Sequence, residues 1–237
     1  MSKNKGKNSN YKNNIGAEAE VKSAPKIEPE KLKKIIFVSA LAVFVLCAII
    51  ATALMNRQEK FELKDSGPVP DVAYVEMDFG SYGKIILKLD GEEAPITTKN
   101  FLDLVYSEFY DGLTIMRAQR GFVIQGGGND DIDLNPIKGE FKSNGVENNI
   151  THKRGVISMA RTGVPDSATS HFFITLDHQA AYSLDGDYAA FGWVIEGMDV
   201  VDAIAEALYP HAVNSMGFVN DGDAITIKSA KIITYEE

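Results

Sequence analysis

Arg117 and Gln125 are polar residues within 110–128, a stretch of otherwise mostly apolar residues and glycines. Alternation, β-branched residues and glycine punctuation favour two short strands joined near Gly121 over a helix. A guanidinium is costly to bury without partners, so Arg117 is expected on a surface or in a functional cleft. On this stretch alone, an arginine on the solvent face of a sheet is the favoured interpretation.

The residue patterns that support covalent or cofactor chemistry are absent from the sequence. The four histidines show no H-x-x-x-H pairing, and the single cysteine, Cys47, lies far from them in an apolar run. No G-x-S-x-G elbow and no phosphate-binding G-x-x-x-x-G-K occurs. The sequence therefore predicts no covalent intermediate, no cofactor and no metal site.

An acidic segment with Asp130, Asp131 and Asp133 invites comparison with a calcium-binding loop. However, Pro136 occupies the position of the loop glycine, and Lys142 occupies that of the closing glutamate. A solvated acidic loop is the better interpretation.

The N-terminal part of the chain differs in composition from the rest. Residues 1–34 hold nine Lys and four Glu, a net of +5, and almost no large apolar groups, which predicts a disordered basic tail. Residues 35–55 form a run of 21 residues without a charge, long enough to cross a bilayer as a helix. The lysines before this run predict a cytoplasmic tail and an extracytoplasmic domain, hence a single-pass protein of the cell membrane.

Two processing alternatives apply to this apolar run. Ala51-Thr52-Ala53 has the A-x-A form of a signal-peptidase site, so cleavage after Ala53 is conceivable, although the long preceding tail favours an uncleaved anchor. Cys47 is not expected to carry a lipid, because Leu46 is too large for the small residue that bacterial lipid-attachment sites require.

The remaining chain has the pattern of a linker followed by one globular domain. Residues 56–70 end in G-P-V-P and are interpreted as a linker, and 71–237 as the domain. The whole chain has a net charge of −9 and the tail one of +5, so the rest of the chain has a net charge of −14. Nucleic acid, which is itself negatively charged, is therefore an unfavourable partner. Many short alternating segments and two separated helices predict an antiparallel barrel or sandwich capped by helices. Strands are expected at 73–79, 84–90, 155–160, 171–175, 190–196 and 225–235. One helix is expected to start with Thr97 or Thr98 as its cap and to end at Tyr106. A second helix is expected at 198–208.

Three motifs in this order resemble the cyclophilins, the cyclosporin-binding family of peptidyl-prolyl isomerases. They read Y-D-G-L-T-I-M-R-A-Q-R-G-F-V-I-Q-G-G, then G-V-I-S-M-A-R-T with S-A-T-S-H-F-F-I, then L-D-G-D-Y-A-A-F-G. The resemblance spans 72–237 and implies a mainly-β fold, an eight-stranded antiparallel closed β-barrel capped by two α-helices. The loop at 164–167 looks like that of bacterial members.

The resemblance also implies the roles of individual residues. Arg117 matches the catalytic arginine and Gln125 the glutamine that orients substrate and arginine. The other matched positions either line the proline pocket and its rim or pair with the bound peptide. They are Phe122, Val123, Phe173, Leu184 and Tyr188 for the pocket, and Ala160, Arg161 and Thr162 for the peptide.

Three positions depart from the family pattern. His171 stands where most members have Gln, and can still donate or accept one hydrogen bond, which is now expected to depend on pH. Met116 replaces the histidine that commonly precedes the arginine. Ser183 replaces the tryptophan of cyclosporin-sensitive members, which predicts weak cyclosporin binding with catalysis largely retained.

The function implied is isomerisation of X-Pro bonds in exported or surface polypeptides, by a monomeric domain without a cofactor. Rotation about the amide breaks no bond, so the site needs no nucleophile. Two other functions stay open: a peptide-binding module that holds proline-containing segments with little catalysis, and a membrane-held scaffold.

Overall fold

The computed structural model describes residues 28–32, 37 and 61–236. The chain divides into two compact units, Met1–Glu59 and Lys60–Glu237. In the first unit, residues 29–32 make one helical turn, and the rest of the expected tail lies outside the described residues. Apart from Phe37, the apolar run 35–55 also lies outside them. Within the described residues, no helix has the length and apolar character needed to cross a bilayer.

The second unit is built on one curled antiparallel sheet of nine strands. The strands are β1 Val72–Asp78, β2 Lys84–Asp90, β3 Thr114–Gln119, β4 Val123–Gly126, β5 Val156–Met159, β6 Phe172–Thr175, β7 Ala190–Glu196, β8 Ile225–Thr226 and β9 Ser229–Ile233. Their order across the sheet is β8-β3-β4-β6-β5-β7-β2-β1-β9. Three α-helices accompany them in this unit: α1 Pro95–Tyr106, α2 Ala181–Leu184 and α3 Met198–Leu208.

The expected count of eight strands is wrong because the C-terminal strand is bent into two. β8 pairs with β3, whereas β9 pairs with β1. Between them, Ile227 N donates to Leu113 O at 2.8 Å and Lys228 N donates to Asp78 O at 2.7 Å. The two outermost strands of the sheet therefore belong to a single bent segment.

Strand alternation places one set of side chains in a common core. In β1, Ala73, Val75 and Met77 are buried while their neighbours are partly exposed, as the period of two requires. Helix α3 buries Val201 and Ile204 against the same core, in agreement with the predicted amphipathic helix.

Helix α1 begins in a way that the sequence did not indicate. Neither Thr97 nor Thr98 caps it; the N-cap is Ala94, which makes no side-chain cap hydrogen bond. Instead, the buried Glu140 carboxylate accepts from Ile96 N at 3.0 Å and from Thr97 N at 2.7 Å. A carboxylate at the positive end of a helix satisfies free N–H groups and favours the helix dipole.

The expected linker lies against the domain from residue 61 onward. The ring of Phe61 packs edge-on to Phe109 with centroids 5.1 Å apart. Ser66 donates from its N and its Oγ to Asp103 Oδ1, at 2.8 and 2.7 Å. Residues 61–67, which we name the strap, are therefore part of the folded unit.

Candidate active site

The strand register brings three candidate residues, together with Ser158, into one row across the sheet. Arg117 on β3 pairs with Gln125 on β4, Gln125 with Phe173 on β6, and Phe173 with Ser158 on β5. Because paired residues project to the same side, this row lies on one face. The alternate positions Ala118, Ile124 and Ile174 lie in the main core.

Three protein oxygens hold the guanidinium of Arg117. Nε donates to Met216 O at 2.8 Å, Nη1 to Gln125 Oε1 at 2.8 Å, and Nη2 to Gln119 Oε1 at 2.6 Å. The Phe218 ring centroid lies 5.3 Å from Cζ, within cation–π range. Partial burial lowers the pKa of Arg117, but a guanidinium stays protonated in proteins. Arg117 is therefore a fixed positive charge with several partners, not a solvent-facing side chain.

An apolar cavity of about 320 Å³ opens beside this guanidinium. Its floor is a small cluster, separate from the main core, in which Val123, Phe173 and Leu184 are almost fully buried. Leu184 is the last residue of α2, a single helical turn where the sequence indicated only a turn. The cavity is lined by Arg117, Phe122, Val123, Gln125, Ala160, Arg161, Phe173, Leu184, Tyr188, Met216 and Phe218. Nine of the eleven residues singled out from the sequence thus surround one space.

The other two, Thr162 and His171, line an adjoining cavity of about 320 Å³. The two cavities share Gln125, Ala160 and Arg161. Burial lowers the pKa of His171, against the opposing effect of Asp130, so the imidazole is favoured in its neutral form. This second cavity is more polar, since it also includes the carboxylate of Asp130.

The loop 212–220 supplies site residues that the sequence did not reveal. Ala118 N donates to Gly217 O at 2.9 Å and Val219 N to Met116 O at 3.0 Å, so the loop lies along the outer edge of β3. Gly217 has φ +83°, and a Cβ there would lie 2.1 Å from Ala118 O. N-S-M-G signals a turn, but only the fold shows that this turn contacts Arg117.

A buried hydrogen-bonded chain lies behind the cavity floor. His152 Nδ1 is 2.8 Å from Asp185 Oδ1, and His152 Nε2 is 3.1 Å from Ser158 Oγ. The His152 ring stacks on Phe173 with centroids 5.9 Å apart. Although these residue types match a hydrolase triad, Ser158 is 0% exposed, so no substrate can reach its hydroxyl. The chain instead ties the Leu184–Asp185 turn to β5 and supports Phe173.

In the part of the chain that the structure describes, no group of three or more His, Cys, Asp or Glu is arranged to hold a metal ion.

Comparison with known proteins assigns the chain to a family. The family model described as "Cyclophilin type peptidyl-prolyl cis-trans isomerase/CLD" matches residues 74–233. Peptidyl-prolyl cis-trans isomerase A of Dickeya dadantii is 42% identical over 161 residues, which cover 65% of this chain and 81% of that protein. Peptidyl-prolyl cis-trans isomerase B of Escherichia coli is 38% identical over 130 residues, covering 52% and 79%.

Solved structures show the same fold. A cyclophilin-type isomerase of Cryptosporidium parvum is similar with a TM-score of 0.58 and 24% identity, covering 70% of this chain and 99% of that one. A structure of that protein in the presence of the dipeptide Ala-Pro gives a TM-score of 0.57 and 25% identity, covering 68% and 99%. The chain therefore belongs to the cyclophilin-type peptidyl-prolyl cis-trans isomerases.

Proposed function

We propose that this isomerase accelerates X-Pro rotation in exported or cell-surface polypeptides, with Arg117 stabilising the twisted amide. The barrier to rotation, about 18–20 kcal/mol, comes from resonance between the amide nitrogen and the carbonyl. In the twisted state the nitrogen becomes pyramidal and regains its lone pair. A donor that contacts the twisted amide more strongly than either planar form lowers this barrier.

The observation that carries the mechanism is the placement of a held guanidinium beside an apolar cavity. Gln125 and the Met216 carbonyl hold Arg117 at the rim, while Phe122, Phe173 and other apolar side chains form the walls. Such walls fix a proline ring and exclude water, which strengthens the contact from Arg117 to the amide.

The peptide flanking the proline is proposed to pair with the backbone at Arg161. Ala160 N already donates to His171 O, and Thr162 N already donates to Ser167 Oγ. The Thr162 carbonyl already accepts from Arg161 Nη1, whereas within the described residues the backbone N–H and C=O of Arg161 make no hydrogen bond. Of the three positions indicated by the resemblance, Arg161 is therefore the one whose N–H and C=O are both free.

The test of the mechanism is the X-Pro isomerisation rate of the full chain in detergent, measured by protease-coupled or NMR-exchange assay. Arg117→Ala is expected to lower kcat/KM by roughly 10²–10³, the range for one preorganised donor, without loss of the fold. Arg120→Ala is the matched control, because Arg120 is exposed and contacts Glu206 and Tyr209 instead of the cavity. Near-normal turnover in Arg117→Ala would refute the mechanism.

The cellular location is a further part of the proposal. The uncharged run 35–55 is proposed to anchor the chain in the cell membrane, with the basic tail in the cytoplasm and the isomerase domain outside. Protease added to intact spheroplasts should then digest the domain and spare the tail. Recovery of the protein in the soluble fraction, shortened to begin after Ala53, would instead support cleavage.

A further inference from the structure

Gln119 makes the shortest of the three hydrogen bonds to the Arg117 guanidinium, 2.6 Å from Oε1 to Nη2. It is the last residue of β3, two positions after Arg117, so both side chains project from the same face of the strand. Arg120, the next residue, turns away and stacks on Tyr209 with Cζ 3.9 Å from the ring centroid. The side chain of Gln119 thus contacts the site through Arg117, although it does not line the cavity.

The number of donors on Arg117 shows what Gln119 does for the site. A guanidinium has five N–H groups. Within the described part of the chain, three are used: the one on Nε, one on Nη1 and one on Nη2. One N–H on each of Nη1 and Nη2 remains for a prolyl amide. Without Gln119, both N–H groups on Nη2 would be free, and the guanidinium would gain freedom to tilt.

We propose that Gln119 is a positioning residue of the isomerisation, because its carbonyl oxygen fixes Nη2 of Arg117 in the orientation that the twisted amide requires. The role rests on the proposed function of Arg117. A bond between an amide oxygen and a cation is stronger than a neutral one. The bond from Arg117 to Gln119 offsets the conformational entropy lost when these two long side chains are held in one geometry. Fixing the donor before the reaction removes a reorganisation step from the barrier.

The experiment compares two substitutions of Gln119 in the full chain in detergent, using a peptide with one Ala-Pro bond. Gln119→Met keeps the length of the side chain but removes the acceptor, and is expected to lower kcat about tenfold with KM within about twofold. Gln119→Glu keeps an oxygen acceptor and is expected to be more active than Gln119→Met. Arg120→Met controls for a change at the neighbouring residue and should leave both constants unchanged.

A merely structural role would lower the melting temperature and leave the kcat of the folded fraction intact. We expect the opposite, with an unchanged melting temperature and a retained NMR signal from Arg117 Nε–H, which still donates to Met216 O. Wild-type kcat in Gln119→Met, or activity of Gln119→Glu no higher than that of Gln119→Met, would overturn the role of Gln119. If the wild-type chain itself gives no acceleration, the proposed function fails instead, so the two failures are distinguishable.

Discussion

At the scale of single residues, the site depends on the hydrogen-bond partners of its buried polar groups. Arg117 keeps its charge at the rim of an apolar cavity because three oxygens solvate it in place of water. Behind the floor, His152 is 1% exposed and is satisfied at both ring nitrogens. The two side chains illustrate that a polar group is buried where protein hydrogen bonds replace those to water.

His152 makes the stability of the domain dependent on pH. Burial lowers the pKa of His152, and this outweighs the opposing effect of Asp185; burial lowers the pKa of His171 as well. Below the ordinary histidine pKa of about 6.5, the unfolded chain then binds more protons than the folded one. The contribution of the neutral histidines is therefore complete above that pH and is lost as the pH falls from there through the lowered pKa values of the folded chain. Each unit of pKa difference corresponds to about 1.4 kcal/mol.

Urea unfolding at pH 7.5 and at pH 5.5 measures this effect. The free energy of unfolding of the wild-type chain should decrease at the lower pH. His152→Gln should lose part of that decrease, because it removes one of the two histidines whose pKa is lowered by burial. Equal pH dependence in wild type and His152→Gln would contradict the assignment.

Ser183 is expected to limit the affinity for cyclosporin. It is exposed, and its Oγ donates to Ala180 O at 3.2 Å one residue before the pocket wall at Leu184. Ser183→Trp adds an apolar wall and an N–H donor, so the Kd measured by tryptophan fluorescence should tighten about tenfold or more. Tyr182→Trp, at a neighbour that is 93% exposed, is the control and should leave the Kd unchanged. Nanomolar binding by the wild-type chain would contradict this expectation.

At the scale of elements, the loop 212–220 and strand β3 together form the rim of the site. The loop reaches Arg117 only because Gly217 allows backbone to approach backbone. Since the carbonyl of Met216 is fixed by this contact, the loop is a structural part of the candidate site and not a peripheral connection.

Gly217→Ala tests this dependence. A Cβ at a residue with φ +83°, 2.1 Å from Ala118 O, cannot be accommodated without moving the loop. The Met216 carbonyl should then leave Arg117 Nε, and kcat/KM for an X-Pro peptide should fall at least about tenfold. Gly222→Ala, where a Cβ would meet nothing within 4 Å, is the control. Unchanged kcat/KM in Gly217→Ala would show that the loop does not position Arg117.

Local elements were predictable from sequence where the pattern itself carries the information. The hairpin of β1 and β2 follows from alternation around a glycine turn, and α3 from its three- and four-residue apolar spacing. The contact of Met216 with Arg117 joins residues 99 positions apart. The Glu140 cap of α1 likewise joins residues more than 40 positions apart. No local pattern encodes such contacts; they exist only once the strands are in register.

At the scale of the whole molecule, the strap extends the folded unit beyond the region matched by the family model, which begins at residue 74. Phe61 adds an aromatic contact and Ser66 adds two hydrogen bonds to α1. The strap therefore contributes to the stability of the domain without taking part in its site.

Phe61→Ala should lower the free energy of unfolding by about 1–2 kcal/mol, from the lost aromatic pair and the apolar area it covers. Chemical denaturation measures this change, and kcat/KM should remain at the wild-type value because Phe61 does not line the cavity. Leu63→Ala is the control on the same segment, since Leu63 is 45% exposed. A wild-type midpoint in Phe61→Ala would show that the strap does not stabilise the domain.

The bent C-terminal segment determines when the sheet can be completed. β9 pairs with β1, so the first strand of the domain gains its second neighbour only when residues 229–233, which follow every other strand along the chain, have been synthesised. Until they emerge, one edge of β1 and one edge of β3 lack their partners. If the chain is translocated during synthesis, the domain cannot fold ahead of its own export. In the proposed location outside the membrane, the domain would then cross the bilayer as an incomplete sheet.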